Sequence, residues 1–139
     1  MADHLLDTGI LIRHLRNRPG YRELMGRLAD EGQLHIASFT RLEVIRGMHD
    51  HEREATLALL DALRTCPLDA RTADQAGEMI RAWQKKGVII SGPDAVIAAS
   101  ALRCRAALVT TNPKHFPIPE LTVLYADEEG HLHPQIPAG

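Results

Sequence analysis

The sequence has few of the features that mark membrane, secreted or strongly basic proteins. Its longest unbroken apolar run, Ala95 to Ala99, is far shorter than the roughly 20 residues that span a bilayer. The first four residues lack the basic start of a secretion signal. The 18 acidic residues outnumber the 16 Lys and Arg residues, so no overall positive charge draws the chain to nucleic acid. We therefore expect a cytoplasmic protein without membrane contacts, in which any contact with nucleic acid is local.

Cysteine and aromatic residues are also scarce. Cys66 and Cys104 are too few for a disulfide framework and form no C-x-x-C pair, so we predict two buried thiols. The aromatic residues, 4% of the chain, are scattered and predict no stacking platform for single-stranded nucleic acid. With 45% apolar residues, the 139-residue chain predicts one globular domain over residues 1–139, with a polar C-terminal tail from about residue 127.

Short apolar runs alternate with helical patterns along the chain. We predict strands at 4–6, 34–37, 65–68, 107–109 and 121–125, and helices between them. Pro67 cannot donate a hydrogen bond within a sheet, which places its strand at an edge. Strands that alternate with helices pair in parallel through right-handed crossovers. The pattern therefore predicts an α/β three-layer sandwich with a mainly parallel sheet of four to five strands flanked by helices.

Acidic and amide side chains occur where this topology brings strand ends together. Asp7 follows the first strand, Glu43 lies one turn into the helix after the second, and Asn112 follows the fourth. Asp94 begins the helix that leads back into that fourth strand. Each acid taken singly is explained by helix capping, because acids favour the first turn of a helix. Capping does not explain their gathering at the ligand-binding edge of one sheet, so we predict a shared metal site.

Four motifs in the chain carry a resemblance to a known family. They are Leu5-Leu6-Asp7-Thr8, Thr40-x-x-Glu43-x-x-x-Gly47, Asp94-x-x-Ile97-Ala98-x-x-Ala101 and the run from Leu108 to Phe116. In this order and over nearly the whole chain, they resemble PIN-domain ribonucleases of the VapC toxin type. The resemblance implies a PIN-like fold and an endoribonuclease that depends on Mg²⁺ or Mn²⁺. It also implies an RNA substrate, a homodimer, and a cognate VapB-like antitoxin that holds the toxin inactive.

The resemblance also assigns roles to individual residues. Asp7, Glu43 and Asp94 match the three metal-binding acids of the family, and Asn112 falls where a fourth acid or an asparagine is found. We expect these four residues to be catalytic, with Thr8 and Thr110 in support. The sequence departs from the family at two positions. Thr111 replaces an arginine that is often seen beside the site, and Gly9 stands where related toxins often carry a polar residue.

The chemistry of phosphodiester hydrolysis suits such a carboxylate cluster. Water must reach a phosphorus atom that anionic oxygens screen, and a divalent cation supplies the positive charge needed. Mg²⁺ and Mn²⁺ prefer oxygen ligands. We expect Asp7 and Asp94 to hold the principal ion, and Glu43 to bind it through water or to orient the attacking water. Clustered carboxylates repel one another, so at least one of the three should have a raised pKa without metal.

Contacts to the RNA phosphates call for basic side chains near the same edge. From a wider set that also contains Arg13, Arg41 and His115, we favour Arg46 and Lys114. The apolar residues around Leu59, Leu60 and Leu63 exceed what one core needs, which suggests a second copy or an antitoxin helix as a partner for them.

Two alternative functions fit the same fold class. One is a catalytically silent PIN-like module that binds RNA or protein, for which Thr111 and Asn112 are the best argument. The other is a phospho-acceptor resembling a receiver domain, which normally has paired acids after the first strand, where this chain has only Asp7. RNA cleavage separates the first from a nuclease, and labelling by acetyl phosphate identifies the second.

Overall fold

The computed structural model describes residues 2–135 and has a three-layer α/β architecture. The strands are β1 (His4–Leu6), β2 (Leu34–Ala37), β3 (Arg64–Cys66), β4 (Ala107–Thr110), β5 (Val123–Ala126) and β6 (Leu132–Pro134). The α-helices are α1 (Thr8–Leu15), α2 (Tyr21–Glu31), α3 (Ser38–Gly47), α4 (Arg53–Ala62), α5 (Ala70–Gln84) and α6 (Gly92–Cys104). No helix in this part of the chain is long and apolar enough to cross a membrane.

The six strands form one sheet in the order β3-β2-β1-β4-β5-β6. The first five strands in that order pair in parallel, and β6 pairs antiparallel with β5. This confirms the predicted mainly parallel sheet, with one strand more than expected. β3 lies at an edge, as predicted, and ends at Cys66, one residue before the proline.

The sheet separates two hydrophobic cores. Leu5 and Leu108 face a core built with α5 and α6, whereas Leu6 and Val109 face a core built with α1 to α4. Successive residues of a strand point to opposite faces, so a sheet covered by helices on both sides buries every residue of its central strands. This explains why β1 and β4 are almost continuously apolar.

The sixth strand lies within the segment that the sequence predicts to be a polar tail. Asp127 organises the turn before it, because its Oδ1 accepts hydrogen bonds from the backbone N–H groups of Glu129 and His131 at 3.0 and 2.9 Å. Gly130 completes the turn with a φ of 77°. Ala126 and Leu132 are the apolar contacts of this hairpin with the core, and two such residues among polar neighbours gave little hydrophobic signal in the sequence. Residues 136–139 of the predicted tail lie outside the described residues.

One further expectation is wrong. Cys66 and Cys104 are joined in a disulfide rather than present as thiols. They are 38 positions apart, and only the docking of α6 on the edge of the sheet brings them together. Leu60 is fully buried, and Leu59 and Leu63 are partly buried against the same core, so a partner for this face stays a prediction.

Candidate active site

Asp7 lies at the carboxyl end of β1 and caps the N-terminus of α1. Its Oδ1 accepts a hydrogen bond from the backbone N–H of Thr8 at 2.8 Å. Its Oδ2 accepts one from the hydroxyl of Thr110, at the end of the neighbouring strand β4, at 2.7 Å. Thr110 is fully buried. The two bonds fix both oxygens of the carboxylate at the edge of the sheet where the parallel strands end.

The electrostatic environment of Asp7 raises its pKa above the ordinary aspartate value. Burial is the main cause, because it disfavours the charged form. The hydrogen bonds from Thr110 and Thr8 oppose the shift, while the negative charges of Asp94 and Glu43 add to it. Asp7 is therefore harder to ionise in this position than an aspartate in water.

Glu43 reaches the same edge from α3. Its Oε1 accepts a hydrogen bond from the hydroxyl of Thr8 at 2.6 Å, and that hydroxyl oxygen lies 3.1 Å from the hydroxyl of buried Thr40. The start of α3 is held in turn by Ser38, whose hydroxyl donates to the carbonyl of Cys66 at 2.8 Å. Thr8 thus links the helix after β1 to the helix after β2.

Asp94 enters from the first turn of α6. Its backbone N–H donates to the Ser91 hydroxyl at 3.2 Å, which caps the helix and orients its first turn. Its Oδ2 lies 3.3 Å from Nδ1 of His115, and Nε2 of His115 lies 3.2 Å from Nδ2 of Asn112. The Asn112 amide nitrogen only donates, so Nε2 of His115 is the acceptor of this hydrogen bond. The backbone N–H of Asn112 also donates to Thr110 at 3.0 Å.

These contacts connect the predicted site residues in one network. Asp7 is joined to Glu43 through Thr8, and to Asn112 through Thr110, and Asn112 is joined to Asp94 through His115. The three acids do not form a closed cage. Within residues 2–135, they are not among the groups of three whose ligand atoms all lie within 4.8 Å of one another. The open spacing suits an ion such as Mg²⁺, which keeps several of its waters and takes only one or two carboxylates directly.

The basic residues divide into two groups. Lys114 is exposed and lines a cleft with Asp94, His115 and Ser91. Arg46 is exposed near the end of α3 and makes no hydrogen bond or ion pair with the described residues. Arg41 is engaged elsewhere, because its guanidinium donates to Asp61 at 3.1 Å and ties α3 to α4. Of the two favoured phosphate contacts, only Lys114 therefore lies in a cleft with one of the acids.

Arg13 lies beside the loop after β4, although the sequence analysis did not favour it as a phosphate contact. Its guanidinium lies 3.4 Å from the hydroxyl of Thr111. A Cβ at Gly9 would come within 3.1 Å of that hydroxyl and 3.3 Å of the guanidinium. The absence of a side chain at position 9 therefore leaves room for the Arg13 guanidinium beside Thr111.

Known proteins resemble this chain in sequence. The PIN domain family matches residues 4–119. Ribonuclease VapC19 of Mycobacterium tuberculosis is 32% identical over 123 residues, which cover 87% of this chain and 98% of that protein. Ribonuclease VapC10 of the same species is 34% identical over 114 residues, covering 82% and 86%.

Solved structures show the same fold. A structure of VapBC2 from Rickettsia felis bound to a DNA fragment from the promoter superposes with a TM-score of 0.77 and 26% identity, covering 90% of this chain and 99% of that one. VapBC-1 from nontypeable Haemophilus influenzae superposes with a TM-score of 0.75 and 26% identity, covering 88% and 97%.

Proposed function

The chain belongs to the PIN-domain family, with relatives of the VapC ribonuclease type, and from this premise we propose that it is a divalent-metal-dependent endoribonuclease, the toxin of a toxin–antitoxin pair. The observation that carries the proposal is the environment of Asp7. Its pKa is raised by burial and by the charges of Asp94 and Glu43, at the edge of the sheet where ligands of α/β proteins bind. Such an anionic pocket is costly unless a cation occupies it.

The donor set of this pocket fits Mg²⁺ or Mn²⁺. Carboxylate oxygens are hard ligands, and Asp7 and Asp94 are the residues we assign to the ion directly, with Glu43 acting through water. Asn112 is neutral and lowers the negative charge available to any second ion. When bound, the ion supplies positive charge beside the scissile phosphate and makes hydroxide available near neutral pH.

The neighbouring side chains orient the acids and the substrate. Thr110 and the backbone of Thr8 hold the two oxygens of Asp7 in place, and the Thr8 hydroxyl does the same for Glu43. Nδ1 of His115 lies 3.3 Å from Oδ2 of Asp94, and both residues line the same cleft. Lys114 lies in the same cleft, where its ammonium group can bind an RNA phosphate. Contacts between basic side chains and phosphates position the RNA but do not distinguish its sequence.

Arg13 extends the phosphate-binding surface on the other side of Asp7. The Arg13 guanidinium lies 3.4 Å from the hydroxyl of Thr111, which is the position where the family resemblance leads us to expect an arginine. We therefore assign Arg13, in place of Arg46, to the second phosphate contact. The assignment accounts for Gly9 and Thr111 without invoking a loss of activity.

A VapB-like antitoxin is the partner that the relatives support, since solved neighbours are VapBC complexes. On this chain α3 contributes Glu43 and Val44 to a groove that is also lined by Ile12, Leu15 and Met48. Glu43 lines the same groove, so a peptide seated there has direct access to an acid of the site. A basic side chain on that peptide would neutralise the pocket. A homodimer and a cytoplasmic RNA substrate complete the proposal.

Cleavage of RNA by the purified chain tests the proposal. The protein, freed of any antitoxin, should cut structured RNAs in the presence of Mn²⁺ and stop when the metal is chelated. Asp94→Asn and Glu43→Gln should each abolish cleavage while the far-ultraviolet circular dichroism stays unchanged. Asp74→Asn, on the exposed surface of α5, is the matched control and should cut at the native rate. Absence of cleavage by the native chain over a broad RNA panel would favour the catalytically silent module instead.

A further inference from the structure

A second group of potential metal ligands lies on the far side of the sheet from Glu43. His35 of β2, Cys66 of β3 and Cys104 at the end of α6 each offer one ligand atom, and these atoms lie within 4.8 Å of one another. His35 and Cys66 are only 7% and 5% exposed, whereas Cys104 is partly exposed. Cys104 is ten residues beyond Asp94 on the same helix, a separation of about 15 Å along its axis. The group is therefore distinct from the carboxylate site.

The hydrogen bonding of His35 leaves one of its ring nitrogens facing the sulfur atoms. Nε2 lies 3.3 Å from Oδ2 of Asp3, and the other oxygen of Asp3 accepts from the backbone N–H of Gln33 at 2.9 Å. A carboxylate only accepts, so Nε2 carries the imidazole proton. Nδ1 then presents a lone pair to Cys66 Sγ at 3.9 Å. In the disulfide that sulfur has no proton to donate, so a buried basic nitrogen points at a group that cannot satisfy it.

We propose that the reduced pair Cys66 and Cys104, together with His35, binds a Zn²⁺ ion. Two thiolates and one imidazole form a Cys₂His set, which zinc takes in proteins with a fourth position left for water. A histidine that binds zinc commonly donates its other nitrogen to a carboxylate, and Asp3 already occupies that position. Thiolates select Zn²⁺ over Mg²⁺, so this site does not compete with the carboxylate pocket for its ion.

The oxidised and metal-bound forms exclude one another. A dithiol reductant supplies two electrons and two protons, which break the S–S bond and give two thiols, and the reductant becomes a disulfide. Zinc then replaces the two thiol protons, which pass to the solvent. Either the disulfide or the ion ties edge strand β3 to the end of α6, and only the reduced, metal-free protein lacks this link. Cys104, the more exposed member, gives both the reductant and the ion access.

Cobalt is the probe that distinguishes this site from the carboxylates, because only thiolate ligands give a sulfur-to-cobalt charge-transfer band in the near ultraviolet. With excess Mg²⁺ present to fill the carboxylate pocket, the full chain, reduced and then freed of reductant without air, should develop this band on titration with Co²⁺, and the band should saturate at one ion per chain. Added Zn²⁺ should displace the cobalt and bleach the band. The oxidised protein should show no band. Asp94→Asn, which leaves the sulfur site intact, should titrate like the native chain.

Variants of the ligands complete the test. Cys66→Ser and Cys104→Ser should each lose most of the band, and His35→Gln should weaken binding. Asp3→Asn keeps all three ligands and should lower cobalt affinity about tenfold, as loss of a carboxylate behind a ligating histidine does. The proposal is overturned if the reduced native chain, folded by circular dichroism, gives no thiolate band. It is also overturned if Asp3→Asn binds cobalt with native affinity, or if the band survives in both cysteine variants.

Discussion

Replacing Asp7 with asparagine should make the metal-free protein more stable and the metal-saturated protein less stable than the native chain. Asparagine is nearly the same size and caps a helix as well as aspartate does, so the bond from the Thr8 backbone is kept. The Thr110 hydroxyl can reverse its role and accept from the new amide. What changes is the charge, which burial and the neighbouring acids Asp94 and Glu43 disfavour in the native pocket.

The size of each effect follows from these contacts. Every unit by which a folded-state pKa is raised corresponds to about 1.4 kcal/mol of unfolding free energy lost when the group is ionised. A gain of about 1 kcal/mol raises the melting temperature of a domain of this size by roughly 4 °C. Saturating metal at about 100 times its dissociation constant adds about 2.7 kcal/mol to the native chain. The variant forgoes that gain, so the order of stability reverses when Mn²⁺ is added.

Thermal unfolding at neutral pH, with chelator and with Mn²⁺, measures both halves of this prediction. The folded chain holds the Asp7 proton more tightly than the unfolded chain, so native stability falls as pH rises through the raised pKa. The advantage of the variant should therefore be full at neutral pH and vanish below the ordinary aspartate pKa. Asp7→Ala is the control for hydrogen bonding. It removes the N-cap of α1, which should lower the free energy of unfolding by about 1 kcal/mol or more. Equal stabilisation of the native chain and Asp7→Asn by Mn²⁺ would refute the reasoning.

Three further predictions concern the pocket and the fold. The affinity for Mn²⁺ should fall between neutral and mildly acidic pH as protons compete for Asp7, and an unchanged affinity by calorimetric titration would argue against a carboxylate cluster. Arg13→Ala should lower kcat/KM for RNA cleavage about tenfold, the value of one charge-assisted contact, whereas exposed Arg18→Ala should not; equal rates would remove Arg13 from the site. Gly20→Ala should lower the free energy of unfolding by at least about 1–2 kcal/mol, because position 20 has a φ of 84° and an added Cβ would overlap the Glu129 carbonyl. The matched variant Gly26→Ala, inside α2, places its Cβ where no other atom lies within 4 Å, and it should raise the free energy of unfolding by about 0.5–1 kcal/mol. Denaturant unfolding of both variants measures the difference.

The sequence predicted those features that depend on local pattern and strand topology. The buried pair Leu5 and Leu6 followed by Asp7 is a strand whose carboxyl end bears an acid, and parallel pairing brings it beside Thr110. The edge position of β3 followed from one proline. These inferences succeed because the periodicity of strands and helices is written in successive residues, and the parallel connection leaves few arrangements open.

Other features depend on contacts that no local pattern records. The disulfide joins residues 38 positions apart, on an edge strand and at a helix end. Strand β6 has only three residues, of which Leu132 alone packs against the core, so its pairing left little hydrophobic signal. The contact of His115 with Asp94 depends on the path of the loop after β4, and the approach of Arg13 to Thr111 depends on the space at Gly9. Each is set by side chains from distant parts of the chain meeting after the sheet has formed.

Electron paramagnetic resonance of Mn²⁺ titrated into the purified chain at neutral pH measures the occupation of the carboxylate pocket most directly. Bound Mn²⁺ loses the sharp signal of the free ion, so the titration counts the ions that the protein retains. The native chain should retain Mn²⁺, and Asp7→Asn and Asp94→Asn should each weaken the binding at least about tenfold, one such step being worth about 1.4 kcal/mol. Binding of Mn²⁺ that is as tight in both variants as in the native chain would contradict the account.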